Sequence, residues 1–296
     1  MLRLDNMVII RLIGGLGNQL FQYALGRTLA ASRSTTLKLD ITDYETYKAH
    51  TYALRHFNVI ESFATRDEIR RLRGGGWMAK QLSRRLHRLI PFRKDSYVLE
   101  KGFAFDPEVL KSPDDVYLEG YWQSERYFTS IEGLLRREFT ICRSLSDRYQ
   151  EMAARIAGCN AVSLHVRRGD YVSNPDSSRV HGLCGGDYHQ AAVRRIAEVV
   201  PQPHLFVFSD DPEWAARNLH LDHPMTIVIG SDTRHDYEDL HLMGLCRHHI
   251  VVNSSFSWWG AWLDANPDKI VIAPARWFAS GKFDTRDLIP PSWTTI

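Results

Sequence analysis

The sequence has few features that could cross-link the chain or anchor it. Only four cysteines occur in 296 residues. They are Cys142, Cys159, Cys184 and Cys246. No two of them form a Cys-x-x-Cys pair, which excludes a disulfide framework and a zinc finger and fits a reducing compartment. No apolar run approaches the roughly 20 residues of a spanning helix. We therefore predict a cytoplasmic protein.

An excess of one charge is also missing from the chain as a whole. It has 37 basic and 35 acidic residues, a net charge of +2, which argues against a nucleic-acid partner. Ten of the bases and two of the acids lie between Arg66 and Lys94, so this segment of 29 residues carries +8 and the remainder −6. Within it, Trp77–Ile90 alternates apolar and basic positions at helical spacing. This pattern is typical of a helix on an anionic membrane and also of a solvated helix on its own domain.

Apolar runs and helical patterns alternate along the chain. We predict strands at Met7–Ile13, Thr36–Asp40, Val116–Glu119, Ala161–Val166, Leu205–Phe208, Thr226–Ile229, Ile250–Val252 and Ile270–Ala273. We predict helices at Asn18–Ala31, Ser124–Phe139, Asp187–Val200, Pro212–Leu219, Asp236–Cys246 and Phe256–Ala265. This alternation is typical of α/β proteins with parallel sheets. The expected fold is two Rossmann-like domains facing each other across a cleft, at residues 1–150 and 151–296.

A glycine-rich turn follows the first predicted strand. Gly14–Gly17 would let backbone N–H groups approach a ligand, with Asn18 and Gln19 as contacts at the helix start. Asp40 ends the next strand, where a dinucleotide-binding protein places its ribose-binding acid. Leu20 occupies the position of the third glycine in that motif, which weakens the match. An NAD(P)-dependent oxidoreductase is the alternative that this turn and Asp40 support.

Two adjacent arginines follow the strand that begins the second half. Arg167 and Arg168 offer forked donors that match phosphate oxygens, and Asp170 can orient one of them or cap the turn. His165 lies two residues before Arg167, so the alternation of a strand places both on one side. Pairing of the arginines with surface carboxylates is the structural alternative.

Polar residues also end two later strands. Ser209 and Asp210 are candidates for contacting a nucleoside, whereas Asp211, followed by proline, is typical of a helix cap. Ser254 and Ser255 stand where another helix begins, and helix N-termini favour phosphate groups. No Asp-x-Asp triplet is present to hold a divalent metal, so fixed donors would have to meet the charge of a departing diphosphate.

Together these segments resemble the bacterial α-1,2-fucosyltransferases of glycosyltransferase family 11. The resemblance extends over Ile9–Tyr23, Gly120–Phe128, His165–Tyr171, His181–Tyr188, Phe208–Asp211 and Asn253–Leu263. It implies a B-type glycosyltransferase fold, GDP-β-L-fucose as donor and inversion at the anomeric carbon. It also implies that no metal or other cofactor is required.

The resemblance assigns roles to individual residues. Arg167 and Arg168 would bind the diphosphate and stabilise the leaving group, with Asp170 orienting them. The predicted donor-binding residues are His165, Asn18, Gln19, Ser209, Asp210, Ser254, Ser255 and Phe256. Candidates for the acceptor site or the general base are Glu125, His181 and Asp187, with Asp170 as a further candidate for the base. The sequence does not choose among them.

The predicted reaction is transfer of L-fucose to the 2-hydroxyl of a galactoside in a bacterial surface glycan such as O-antigen. The partners would be GDP-fucose and a galactose-containing oligosaccharide, without nucleic acid. Trp77–Ile90 would give the protein a peripheral contact with the inner face of the membrane. A non-catalytic protein that binds through this basic segment is a third alternative, and it leaves the strand-end motifs unexplained.

Overall fold

The computed structural model describes residues 6–46, 49–73, 96–169, 184–229 and 236–296. The chain forms two compact units, Met1–Phe139 and Thr140–Ile296. Asp170, His181 and Trp77–Ile90, which carry predictions, lie outside the described residues. Within the described ranges, no helix is long and apolar enough to cross a membrane.

The first unit is built on a four-stranded parallel sheet. Its strands are β1 (Met7–Arg11), β2 (Thr36–Asp40), β3 (Tyr97–Leu99) and β4 (Val116–Glu119), in the order β2-β1-β4-β3. Its helices in the described residues are α1 (Leu16–Arg33), α2 (Arg66–Arg73) and α3 (Glu132–Glu138). The central strands β1 and β4 are almost wholly buried, as expected for a parallel sheet covered on both faces.

The second unit contains a six-stranded parallel sheet. Its strands are β5 (Ala161–Val166), β6 (His204–Ser209), β7 (Met225–Val228), β8 (His248–Ile250), β9 (Val271–Ala273) and β10 (Thr294–Thr295). Their order is β10-β9-β8-β5-β6-β7, the strand order of Rossmann nucleotide-binding sheets. The order reverses between β5 and β8. Ligands of such sheets bind at the carboxyl ends of the strands at this switch point.

Two apolar cores cover the two faces of the second sheet. The helices are α4 (Asp147–Ala157), α5 (Gly186–Ala197), α6 (Pro212–Asn218), α7 (Asp236–Leu245) and α8 (Ser255–Leu263). Val162 and Leu164 of β5 pack with residues of α5 and α6. Ala161 of the same strand packs with residues of α4 and α7, because successive strand side chains point to opposite faces.

The two parallel sheets confirm the predicted α/β fold class, but several predicted elements differ. The expected helix at Ser124–Phe139 begins instead as two 3-10 turns, and only α3 is α-helical. Ser124 caps the first turn by accepting the N–H of Arg126, and Tyr127 and Phe128 are buried. Strand β3 and helix α4 were not predicted. A division after residue 150 would cut α4, whose Tyr149 packs in the second unit.

Candidate active site

The carboxyl ends of β5 and β8 bring two of the predicted motifs together. His165, near the end of β5, is buried, and its ring centroid lies 5.7 Å from that of Phe256 in the first turn of α8. The segment after β8 therefore meets the end of β5 at the switch point of the sheet. This is the position where a Rossmann fold binds its ligand.

His165 has an unsatisfied ring nitrogen. Burial lowers the pKa of its imidazole to about 3, with further lowering by the charge of Arg167 and by His189. The ring is therefore neutral at physiological pH, and its Nδ1 has no hydrogen-bond partner in the described part of the chain. Its backbone is held separately, because Nε2 of His189 lies 3.1 Å from the His165 carbonyl oxygen. Buried polar atoms without partners are uncommon in folded proteins and call for an explanation.

Asp210 organises the segment that follows β5. Its Oδ2 lies 3.0 Å from Nη1 of Arg167, and its Oδ1 accepts the backbone N–H of Arg168 at 2.9 Å. Gly169 gives this carboxylate room, because a Cβ there would lie 2.7 Å from Asp210 Oδ2 and would displace it. Among the described residues, Asp210 thus orients an arginine, the role predicted for Asp170. Its predicted contact with guanosine stays a prediction.

Arg168 is held in a different way from Arg167. Its guanidinium lies over the indole of Trp214, 3.8 Å from the ring centroid. Its Nε is 3.5 Å from Asp211 Oδ2, within ion-pair range, but the geometry does not make a hydrogen bond. No side-chain hydrogen bond joins this guanidinium to the described residues. With respect to the described residues, Arg168 therefore keeps its hydrogen-bond donors unused, although its side chain is only 23% exposed.

Ser209 and Asp211 shape the start of α6. The Ser209 hydroxyl accepts the backbone N–H of Asp211 at 3.0 Å, and Asp211 Oδ1 accepts that of Trp214 at 3.0 Å. The predicted cap at Asp211 is confirmed, with Pro212 as the first helical residue. Ser209 supports this turn, so its hydroxyl has less capacity for a nucleoside than the sequence suggested.

The start of α8 supplies a helix N-terminus at the same edge. Ser254 caps the helix by accepting the N–H of Phe256 at 3.3 Å, and Ser255 is the first helical residue. Tyr188 donates its hydroxyl to the carbonyl of Val251, so the start of α5 lies at this edge too. Asp187, in the first turn of α5, is exposed there. Among the described residues, it is the candidate base that belongs to the second unit.

The glycine turn of the first unit is filled by its own side chains. Gly14 has a φ of +84°, and its carbonyl accepts from Gln19 at 3.0 Å and from Tyr44 at 2.9 Å. The buried amide of Gln19 also donates to the Thr51 carbonyl, which uses both of its donors. Asn18 accepts a hydrogen bond from Gln123 at 2.8 Å. Both amide donors of Gln19 are therefore engaged by the protein, and its contribution to ligand binding would be to hold the loop at Thr51 in place.

Asp40 contradicts the oxidoreductase alternative. The residue is 1% exposed, Oδ1 accepts from the backbone N–H and the hydroxyl of Thr42, and Oδ2 accepts from Tyr117 at 2.6 Å. A carboxylate buried and bonded in this way is not available to a ribose. The position of Asp40 at a strand end matches the dinucleotide-binding motif, but its side chain points into the interior of the first unit.

Two further residues have contacts or a pKa that the sequence pattern does not predict. Trp214 lies under Arg168, and nothing in the local sequence pairs them. Glu100, directly after β3, accepts the N–H groups of Tyr121 and Trp122 at 2.7 and 2.8 Å, and burial raises its pKa to about 7. A carboxyl that titrates near neutrality is suited to proton transfer. The predicted base Glu125 lies in a half-buried 3-10 turn of the same unit.

Comparison with known proteins places these features in a family. The family model described as Glycosyl transferase family 11 matches residues 77–296. The chain is 34% identical to an "Alpha-1,2-colitosyltransferase" of Escherichia coli, over 98% of this chain and 99% of that protein. It is 30% identical to the "O-antigen biosynthesis glycosyltransferase WbnK" of Escherichia coli, over 96% and 99%. None of these relatives is an oxidoreductase.

Solved structures share the fold at low sequence identity. The NodZ alpha-1,6-fucosyltransferase soaked with GDP-fucose has a TM-score of 0.50 and 13% identity, covering 88% of this chain and 92% of that one. An Arabidopsis thaliana FUT1 mutant in complex with GDP has a TM-score of 0.52 and 10% identity, covering 92% and 71%. These likenesses concern the fold alone. The family match and the two bacterial relatives confirm the resemblance of the motifs, and the chain belongs to glycosyltransferase family 11.

Proposed function

We propose that this glycosyltransferase transfers L-fucose from GDP-β-L-fucose to the 2-hydroxyl of a galactoside, with inversion and without a metal. The acceptor would be part of a bacterial surface glycan such as O-antigen. The relative named for O-antigen biosynthesis supports the acceptor class, and the resemblance of the strand-end motifs to the fucosyltransferases of family 11 supports the donor. The relative named a colitosyltransferase makes GDP-colitose the competing donor.

The observation that carries this proposal is the unused guanidinium of Arg168 at the switch point. Departure of GDP puts negative charge on the diphosphate, and preorganised donors stabilise such charge most effectively. Guanidinium groups match phosphate oxygens in geometry as well as in charge. Arg168 has this capacity available, since its contacts are an aromatic ring and a carboxylate 3.5 Å away.

Neighbouring groups would hold the rest of the donor. The ring of His165 is neutral because of its low pKa, so its unpartnered Nδ1 can accept a hydrogen bond from the nucleoside or donate one, according to the tautomer. The N-terminus of α8 at Ser254 and Ser255 offers backbone N–H groups to the diphosphate. Arg167, fixed by Asp210, adds positive charge beside them. The predicted contacts of Asn18 and Phe256 with the donor belong to the same proposal.

Inversion also needs a group that receives the proton of the acceptor hydroxyl. The predicted candidates are Glu125, Asp187, His181 and Asp170, and Glu100 joins them on the strength of its pKa. The bond from the acceptor oxygen to the anomeric carbon forms as the bond to the GDP oxygen breaks, and GDP leaves with the electron pair. The protein needs no covalent intermediate for this single displacement.

A donor and acceptor assay tests the proposal. The purified chain is incubated with GDP-L-fucose or GDP-L-colitose, which differ by one hydroxyl, and with a panel of β-galactosides. We expect GDP release and an α-1,2-fucosylated product by NMR, at the same rate in EDTA. Preference for GDP-colitose would correct the donor, loss of activity in EDTA would contradict the metal-independent mechanism, and no transfer from either sugar would contradict the function.

The peripheral membrane contact of Trp77–Ile90 is a separate part of the proposal and rests on the sequence pattern alone. Liposome flotation compares the chain with a variant that carries Gln at Lys80, Arg84, Arg85 and Arg88. We expect the variant to lose binding to anionic vesicles, because the basic residues supply the attraction to the lipid headgroups. Equal flotation would contradict the contact.

A further inference from the structure

The first turn of α6 provides both contacts of the Arg168 guanidinium. The indole of Trp214 lies 3.8 Å below it, and the Asp211 carboxylate lies 3.5 Å from its Nε. The two contacts differ chemically. A carboxylate at hydrogen-bond distance uses N–H donors, whereas an aromatic face attracts the cation and leaves the donors at the edge of the guanidinium plane free.

Arg167 shows the alternative arrangement in the same segment. Its Nη1 is 3.0 Å from Asp210, so one of its donors is engaged by a carboxylate of the protein. Arg168 has a carboxylate nearby as well, but Asp211 already accepts the backbone N–H of Trp214 through its other oxygen. That bond fixes Asp211 as a helix cap and keeps it at 3.5 Å.

Trp214 is itself held in place. Its side chain packs against the apolar core formed with α5, and its backbone is bonded at both ends, to Asp211 through N–H and to Asn218 through the carbonyl. An indole restrained in this way can define the position of a cation placed on it. A guanidinium that is restrained by the face of an indole loses little conformational freedom when an anion binds at the N–H edge of the guanidinium.

We propose that Trp214 is a positioning residue for nucleoside diphosphate binding: its ring holds the Arg168 guanidinium and keeps the N–H donors turned to the diphosphate. The inference rests on the proposed function, since it presupposes a diphosphate at the end of β5. It adds a residue outside the strand-end motifs, on a helix 46 positions further along the chain.

A double-mutant cycle with GDP as the probe tests the inference. GDP affinity is measured by calorimetry, at one fixed salt concentration, for the wild type, Arg168→Ala, Trp214→Leu and the double variant. We expect Arg168→Ala to weaken binding at least tenfold and Trp214→Leu roughly fivefold, the scale of a lost cation–π contact. In the Arg168→Ala background, Trp214→Leu should have no further effect, because it acts only through the arginine.

Three further variants separate positioning from general stability. Trp214→Phe keeps an aromatic face and should retain nearly wild-type affinity. Trp214→Met fills similar space without an aromatic face, should weaken GDP binding like Trp214→Leu, and replaces that variant if it unfolds. Arg217→Ala removes an exposed guanidinium on the same helix, paired with Glu213, and should leave GDP affinity unchanged.

The outcomes distinguish the inference from the function on which it rests. Equal weakening by Trp214→Leu with and without Arg168 would show a structural role and overturn the inference. Wild-type affinity in Trp214→Leu, together with weakened binding in Arg168→Ala, would overturn the inference and leave the proposed function intact. A wild-type chain that does not bind GDP would contradict the proposed function and the inference together.

Discussion

The two units place polar residues at the ends of their central strands but use them differently. In the first unit, Arg11 at the end of β1 is bonded to Asp43 at 2.6 Å and to Glu119 at 2.8 Å. Glu119 also accepts from Tyr97 and Arg73. In the second unit, Arg168 follows the central strand, and its side chain makes no hydrogen bond to the described residues.

This contrast separates structural polar groups from ligand-binding ones. A partly buried polar group whose donors or acceptors meet protein partners contributes to the fold, whereas one whose hydrogen-bonding atoms lack such partners carries a desolvation cost that a ligand can offset. Asp40 and Gln19 belong to the first class, and His165 and Arg168 to the second. The number of polar residues at a strand end is therefore a poorer guide to a site than the number left unpaired.

The largest expected effect compares Arg168→Ala with Arg11→Ala. Because Arg168 would stabilise the leaving diphosphate, its loss should lower the transfer rate by a factor of the order of 10²–10³ and change stability little. Arg11→Ala leaves Asp43 without this cation and Glu119 with Arg73 as its remaining one, and should cost about 2 kcal/mol of unfolding free energy. Initial rates and urea denaturation measure both variants. The opposite pattern, with Arg11 controlling the rate, would overturn the comparison.

One buried group in each unit should respond to acid, and the two should respond in opposite directions. Glu100 has a pKa of about 7, above its ordinary 4.5, so the native state binds its proton first. Its shifted pKa contributes at most about 3 kcal/mol to the free energy of unfolding. This contribution is fully present below pH 4.5 and is lost as the pH rises through 7. The pKa of His165 is lowered to about 3, so its contribution is present above pH 6.5 and is lost as the pH falls.

Urea denaturation of Glu100→Gln and His165→Asn from pH 4 to pH 8 measures these contributions. The stability of the wild type relative to Glu100→Gln should fall between pH 5 and pH 8. The stability of the wild type relative to His165→Asn should fall as the pH is lowered from 7 to 4. Differences that do not vary with pH would show that neither group has a shifted pKa.

The smallest expected effect belongs to Asp40→Asn. It perturbs the bonds to Thr42 and Tyr117 in the first unit and should cost about 1–2 kcal/mol of unfolding free energy. GDP affinity should be unchanged, and a fluorescence titration should detect no NADH binding by either protein. Binding of NADH that depends on Asp40 would instead restore the oxidoreductase alternative.

Much of the sheet architecture could be predicted from sequence. The predicted bounds of β2, β4 and β5 agree with the structure, because buried parallel strands are short apolar runs with clear ends. Strand β3 escaped prediction because it has three residues and exposes Leu99 at the edge of its sheet. The sequence pattern predicts a helix where the structure has 3-10 turns after Ser124, because their burial depends on distant neighbours.

The sequence by itself determined the family, the fold class and the residue types at the strand ends. Only the tertiary structure decided which of those residues remain available. The side chain of Gln19 is hydrogen-bonded to Thr51 and Ala53, and that of Asp40 is hydrogen-bonded to Tyr117. The guanidinium of Arg168 instead packs on Trp214. The physical reason is that a side chain's hydrogen-bonding capacity is used by whatever packing brings beside it, and these partners lie about 30 to 80 positions away.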